Sequence, residues 1–219
     1  MKAKIHSRKL LWNLSYNKTK EVIALITSVG LVVASLLCAL FVIQNAELRD
    51  GILLSDPLHP FFPPPIDFSA GIFAATHSAI FISVFICIRE SIGRFTFAAT
   101  CYAVLTFLRS LSITLVPLDP PMDMILLVDP IFNFFQPDQF SATKDLFFSG
   151  HCSTLFMFYL VAEKKWFKWF LLFLNVFVAI AILWQRVHYT IDVIGGILVA
   201  WLVVKGVRIL MGRLGILKI

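Results

Sequence analysis

Two short stretches decide how this chain folds: Phe148-Ser149-Gly150-His151 and His188-Tyr189-Thr190-Ile191-Asp192. Each lies at the start of a long apolar run, and no other apolar run in the sequence begins with reactive side chains. Apolar runs of this length are typical of helices that cross a membrane. The two stretches therefore predict two helices whose first turns carry chemically active groups.

The whole chain is apolar. Of its 219 residues, 59% are hydrophobic and 15% are charged, and the mean hydropathy is +0.86. A helix needs roughly 17 to 25 apolar residues to cross about 30 Å of hydrocarbon. We therefore expect an all-α, polytopic membrane protein in which residues 1–219 form a single domain, a bundle of six transmembrane helices. The apolar runs lie at about 22–43, 68–88, 95–118, 146–162, 166–184 and 189–210.

The first apolar run is expected to remain in the protein. It is longer than the roughly 7 to 15 apolar residues of a signal peptide core, and no convincing small-residue cleavage site follows it. We therefore predict a retained first helix that is preceded by a short basic segment, residues 1–20.

The charge and the cysteines exclude several kinds of function. The net charge of +6 does not indicate a nucleic-acid partner, because the basic residues are not clustered as in a soluble nucleic-acid-binding fold. The four cysteines lie in or beside apolar runs without a CxxC pair or a metal-ligand spacing. We therefore expect no disulfide framework and no zinc site, and we predict no other metal and no cofactor. The sequence does not predict an oligomeric state.

The connections between the apolar runs differ in basic residues. Alternate connections, including both ends of the chain, hold fifteen basic residues, whereas the other three connections hold three: Arg49, Lys144 and Arg186. An excess of Lys and Arg marks the cytoplasmic side of a membrane protein. Both termini are therefore predicted to be cytoplasmic, and both reactive helix starts are predicted to share the exoplasmic, lumenal or periplasmic side.

Ser149-Gly150-His151 stands where a helix begins. The free N–H groups and the positive end of the dipole attract anions there, and Gly150 lets the backbone approach a phosphate. We therefore predict that Ser149 and Gly150 bind the phosphate of a substrate. A serine cap, a turn glycine and an interfacial histidine are the alternative interpretation.

His188 and Asp192 are four residues apart, which places them on one face of a helix. A carboxylate that accepts a hydrogen bond from imidazole fixes the tautomer and raises the basicity of the other ring nitrogen. An unpaired carboxylate one turn into an apolar segment would also be costly. A purely structural His-Asp pair is the alternative. With His151, the pair supplies a nucleophile, its orienting acid and a proton donor, which in-line displacement at phosphorus requires.

Arg109 lies in the middle of the third apolar run. Ionisable groups at such a depth usually face the bundle interior and pair. We expect its guanidinium to neutralise the substrate phosphate or to hold Asp192, since it binds both kinds of group well. Pairing with a buried carbonyl is the alternative.

Four motifs carry a resemblance to a known family. Asp145-Leu-Phe-Phe-Ser149-Gly150-His151 and His188-Tyr-Thr-Ile-Asp192-Val resemble the third and fourth motifs of the sphingomyelin synthase family, within the type 2 phosphatidic acid phosphatase (PAP2) superfamily. The stretch from Leu108-Arg109 to Val116-Pro117-Leu118 is similar to the second motif. Asp56-Pro57-Leu58-His59-Pro60 resembles the first motif more loosely.

The resemblance implies roles for these residues. His188 is expected to be the nucleophile on the lipid phosphodiester, held by Asp192, while His151 protonates the departing diacylglycerol and later deprotonates the acceptor alcohol. Asp145 and Arg186 are expected to be supporting groups. The implied partners are a phospholipid donor and a ceramide-like acceptor in the membrane.

Two departures bear on the reaction type. Lipid phosphatases of the superfamily carry a Lys-x6-Arg-Pro motif, which is absent here, and an arginine six residues before the second histidine, where this chain has Ile182. The resemblance therefore implies a phosphotransferase of phosphocholine or phosphoethanolamine, with a lipid phosphate phosphatase as the alternative. A non-catalytic membrane protein or transporter with a proton-relaying His-Asp pair is the third interpretation.

Overall fold

The computed structural model describes residues 18–128, 130 and 142–214. Among them, regular structure consists of α-helices and a short 3-10 turn, and only an isolated bridge between Ile52 and Leu118 pairs extended segments. The prediction of an all-α fold is confirmed. The helices are α1 (Lys18–Glu47), α2 (Ser69–Glu90), α3 (Ile92–Leu115), α4 (Gly150–Val161), α5 (Lys165–Trp184) and α6 (Thr190–Arg213), with the 3-10 turn at His59–Phe61 between α1 and α2.

Five of these helices, α1, α2, α3, α5 and α6, are long and apolar enough to cross a membrane. The exception is α4, whose 12 residues extend only about 18 Å at 1.5 Å per residue. The apolar run 146–162 is longer than this helix because its first residues are not helical and Ser149 caps the helix start. These lengths are consistent with an integral multi-pass membrane protein, and the count of six spans holds approximately.

The helices α2 to α6 enclose one apolar core. Fully buried side chains from α3, α4 and α5 meet in it, among them Phe97, Leu155 and Leu171. The helix α1 packs along α3, and much of its remaining surface consists of exposed apolar side chains. In a membrane-spanning helix such a surface faces lipid.

One end of the bundle is joined by a cluster of charges. Arg94, in the first turn of α3, forms ion pairs with Glu90 at the end of α2 and with Glu163 just after α4. Arg94 is buried, and the carboxylate side chains of its two partners are 22% and 27% exposed. The end of α2, the start of α3 and the end of α4 therefore meet at this end. The starts of α4 and α6 lie at the other end.

A tight turn links α5 to α6. Val187 N donates to the oxygen of Ile182 (3.0 Å) and Arg186 N to that of Leu183 (3.2 Å), with Arg186 in the left-handed region at φ 60°. This is the Schellman arrangement, which usually places glycine at the left-handed position. The turn leaves five residues between the two helices and places His188 two residues before Thr190, the first residue of α6.

Candidate active site

His188 and Asp192 form a buried pair. The Nδ1 of His188 lies 3.1 Å from Oδ2 of Asp192, and the two residues are 4% and 0% exposed. The same oxygen accepts the backbone N–H of Tyr189, 3.0 Å away. His188 itself precedes the helix, so the carboxylate reaches back across the first turn of α6 rather than along a helical face. The predicted contact is therefore present, but it is made through helix-capping geometry.

The starts of α4 and α6 are joined by their backbones. The N–H of Ser149 donates to the carbonyl of Asp192 at 3.0 Å. A Cβ on Gly196 would lie 2.9 Å from the oxygen of Ser149, so only glycine allows this approach. His151, half-buried in the first turn of α4, and His188 thus belong to adjoining helix starts, as the sequence predicts.

Ser149 is fully buried and acts as the N-cap of α4, where its hydroxyl accepts the N–H of Cys152 at 3.4 Å. This is the role that serine commonly has at a helix start. The alternative interpretation of Ser149 as a cap is therefore observed. Its predicted contact with a phosphate stays a prediction.

Arg109 holds the segment that leads into α4. Its Nη2 pairs with Oδ2 of Asp145 at 2.7 Å, and its Nε donates to the carbonyl of Phe148 at 3.1 Å. A Cβ on Gly150 would lie 2.7 Å from Cζ of Arg109, so the guanidinium lies directly against the start of α4. The carboxylate that Arg109 binds is Asp145 and not Asp192. Contact of Arg109 with a substrate phosphate stays a prediction.

Arg186 is not joined to the His188–Asp192 pair by the contacts of its side chain. Its Nη1 lies 3.0 Å from Oδ2 of Asp123, whose side chain is 75% exposed. The supporting role of Arg186 stays a prediction. The turn is held instead by Gln185, which is fully buried, accepts Phe68 N at 2.9 Å and donates to Ser69 Oγ at 3.1 Å.

Two further residues contact the start of α6. Asp56 accepts the hydroxyl of Thr190 on Oδ1 at 2.8 Å and the backbone N–H of Thr190 on Oδ2. Nε2 of His59 lies 3.1 Å from the carbonyl oxygen of His188, and its ring stacks on Tyr189. Sequence reasoning gave these residues no role. The signal that could have found them is the motif-like stretch Asp56-Pro-Leu-His59-Pro.

Asp56 is held in its ionised form. Burial acts to raise the pKa of Asp56, but hydrogen bonds from the backbone and hydroxyl of Thr190 and from the N–H of Leu58 outweigh it. Its pKa therefore lies below the ordinary value of 3.8. A full negative charge at the N-terminus of α6 is favourable because it opposes the positive end of the helix dipole.

In the described part of the chain, no group of three or more His, Cys, Asp or Glu side chains is arranged to hold a metal ion. Cys38, Cys87, Cys101 and Cys152 are all free thiols.

Comparison with known protein families finds one similarity, and it lies over this site. Residues 144–208 match the family model of the PAP2 superfamily C-terminal domain. The matched range contains both helix starts and the whole His188–Asp192 pair, so this part of the chain is similar to the C-terminal domain of the PAP2 superfamily. No curated protein and no solved structure matches the chain. The family match does not separate sphingomyelin synthases from phosphatases.

Proposed function

We propose that this protein is an integral membrane lipid phosphotransferase. It moves phosphocholine or phosphoethanolamine from a glycerophospholipid to a ceramide-like lipid alcohol. The observation that carries the proposal is the buried His188–Asp192 pair, joined by the Ser149–Asp192 hydrogen bond to the helix start that bears His151. The PAP2 match over the same residues supports chemistry at a lipid phosphate.

The first half-reaction transfers the head group to the enzyme. Because Asp192 accepts the hydrogen bond from Nδ1 of His188, Nε2 carries the free electron pair. Nε2 attacks phosphorus, a P–N bond forms, and the P–O bond to diacylglycerol breaks. His151 gives its proton to the departing oxygen. Acid-base assistance of this kind contributes about 10²- to 10⁴-fold to a rate.

The second half-reaction returns the enzyme to its starting state. The hydroxyl oxygen of the acceptor attacks phosphorus while His151, now neutral, takes the hydroxyl proton. The P–N bond breaks, and Nε2 of His188 recovers its electron pair. The product is the acceptor lipid carrying the phospho-head-group.

In this scheme the phosphate binds at the start of α4. Free N–H groups and the dipole favour an anion at a helix N-terminus, and the guanidinium of Arg109 lies against Gly150. These groups stabilise the charge that develops on the phosphoryl oxygens, which is commonly the largest contribution to catalysis. Ser149, Gly150 and Arg109 are accordingly assigned to phosphate binding.

A lipid phosphate phosphatase is the second candidate. In it, water takes the place of the acceptor alcohol on the same phosphohistidine, and the superfamily match favours such chemistry. Ile182 distinguishes the two candidates. It stands where phosphatases of the superfamily carry an arginine, and it is fully buried in the core. The site therefore lacks one phosphate-binding cation of the phosphatases, and we favour the transferase.

The charge distribution supports one side of the membrane for this reaction. The excess of basic residues at alternate connections favours cytoplasmic termini and an active site on the exoplasmic side. The substrates are therefore lipids of the outer or lumenal leaflet.

The assay uses purified protein in detergent micelles with labelled phosphatidylcholine or phosphatidylethanolamine, with and without ceramide. Appearance of the labelled head group on ceramide supports the transferase, whereas release of free phospho-base or phosphate supports the phosphatase. The His188→Ala variant is expected to lose either activity. Turnover that survives this substitution would refute the assignment of the nucleophile.

A further inference from the structure

One loop, residues 54–59 in the connection between α1 and α2, contacts the three residues at the start of α6. The carbonyl of His188 contacts His59, the hydroxyl of Tyr189 accepts the N–H of Leu54 at 3.2 Å, and Thr190 donates twice to Asp56. The loop therefore contacts residues 188, 189 and 190 in succession. It lies about 130 residues away in the sequence.

The contacts of the loop and the contacts of the Asp192 carboxylate fix different parts of the site in position. Asp192 fixes the imidazole of His188 relative to its own helix, since both belong to the same turn. The described hydrogen bonds of the carboxylate stay within this turn, so the carboxylate does not fix the turn relative to the rest of the molecule. The Ser149–Asp192 hydrogen bond ties the turn to α4, and Asp56 ties it to the loop that follows α1.

The hydrogen bonds of Asp56 suit it to attach the first turn of α6 to the loop. One oxygen, Oδ1, also accepts the N–H groups of Leu58 (2.8 Å) and His59 (3.1 Å), so the same carboxylate shapes its own loop. The other oxygen accepts Thr190 N. Every one of these partners is a donor, so both oxygens must be acceptors. Asparagine would turn an N–H₂ group toward one set of donors and lose those bonds.

We infer that Asp56 is a positioning residue for His188, and that it holds the first turn of α6 so that the free nitrogen of the imidazole stays aligned with the substrate phosphorus. This inference rests on the proposed function. Misplacement of a reacting group by about 1 Å costs on the order of 100-fold in rate. The loss falls on the chemical step, because Asp56 is not assigned to substrate binding.

Four variants test the inference in the lipid assay described above. Asp56→Asn is expected to lower kcat about 10- to 100-fold with little change in KM. Thr190→Val removes the hydroxyl that Asp56 accepts and is expected to lower kcat in the same way, whereas Thr190→Ser restores most of the loss. Asp50→Asn is the matched control, since Asp50 is an exposed carboxylate in the same connection, and it is expected to behave as wild type.

Three outcomes would overturn the inference. Wild-type kcat in Asp56→Asn is one, a rise in KM with kcat unchanged is another, and equal losses in Thr190→Val and Thr190→Ser are the third. Thermal unfolding of each variant accompanies the kinetics. If Asp56→Asn does not fold, the comparison of the two Thr190 variants decides.

A second readout needs no turnover and so separates this inference from the proposed function. Diethyl pyrocarbonate modifies accessible imidazoles, and peptide mass spectrometry reports the rate of modification at His188. We expect Asp56→Asn and Thr190→Val to raise this rate several-fold, and Asp50→Asn to leave it unchanged. If the wild type turns over no lipid, the proposed function fails while this measurement still tests the inference. An unchanged rate in both variants would refute the positioning role.

Discussion

Asp192 accepts both of its described side-chain hydrogen bonds on one oxygen, Oδ2. An asparagine can keep both bonds if its carbonyl oxygen takes that place, so Asp192→Asn removes the charge and preserves the shape. We expect kcat to fall by about 10²- to 10⁴-fold, because a neutral amide stabilises neither an imidazolium nor a basic Nε2. Initial rates in the lipid assay measure this loss. Thermal unfolding checks that the fold survives, and a variant that retains a third of the wild-type rate would contradict the role of the carboxylate.

Asp56 makes the stability of the protein depend on pH. Its folded-state pKa lies below the ordinary value of 3.8, so its contribution is fully present above that value and is lost as the pH falls through the lowered folded pKa. At neutral pH we expect Asp56→Asn to cost about 1.5 to 3 kcal/mol, the usual contribution of hydrogen bonds to a charged group.

The difference in thermal midpoint between wild type and Asp56→Asn separates the pH-dependent contribution of Asp56 from the contributions of the other carboxylates. We expect a wide gap at pH 7 that narrows as the pH falls below about 3.8. A gap that stays constant or widens on acidification would show that the charge of Asp56 does not stabilise the fold.

At the scale of elements, the contact of α4 with α6 depends on one glycine. A Cβ on Gly196 would lie 2.9 Å from the carbonyl oxygen of Ser149 and 3.4 Å from Cβ of Ser153. Gly196→Ala must therefore push the two helices apart and loosen the hydrogen bond from Ser149 N to Asp192. Overpacking of this kind costs about 1 to 3 kcal/mol, and we expect the lipid assay to show a reduced rate as well.

Gly206 is the matched control for this change. It lies on the same helix, and a Cβ there would meet nothing within 4 Å. Because alanine has a higher helix propensity than glycine, Gly206→Ala is expected to be as stable as the wild type or slightly more stable. Equal midpoints for Gly196→Ala and Gly206→Ala would show that the helices do not meet as closely as described.

At the scale of the whole molecule, the sequence predicts the helices well because apolar runs determine them. The run 166–184 corresponds to α5 at Lys165–Trp184, and the run 189–210 corresponds to α6 at Thr190–Arg213. The apolar run 146–162 overestimates the length of α4, since the residues before Ser149 are as apolar as those of the helix itself, whereas Ser149-Gly150-His151 marks the helix start. Composition therefore locates membrane segments better than it locates the point where a helix begins.

The site was predictable where its contacts are local in the sequence. His188 and Asp192 are four residues apart, and their pairing follows from the geometry of one turn. The contact of Asp56 with Thr190 spans 134 residues, and the choice of Asp145 rather than Asp192 as the partner of Arg109 depends on how α3 and α4 pack. Such long-range pairings follow from the tertiary structure and have no local signal.

The direction of the chain across the membrane gives the last prediction. The Arg94 cluster gathers helix ends at one side of the bundle, and the His188–Asp192 pair lies at the other. The excess of basic residues at alternate connections predicts that the side with the Arg94 cluster is cytoplasmic. Single cysteines at Asp50 and Lys165, both exposed, report the two sides.

The experiment replaces Cys38, the half-buried native thiol, and treats intact cells with a maleimide that cannot cross membranes. We expect the Asp50→Cys variant to be labelled in intact cells and the Lys165→Cys variant only after permeabilisation. The reverse pattern would place the active site at the cytoplasmic leaflet, where the lipid substrates would differ. Because each cysteine serves as the control for the other, labelling of both positions in intact cells would refute the alternation of loops itself.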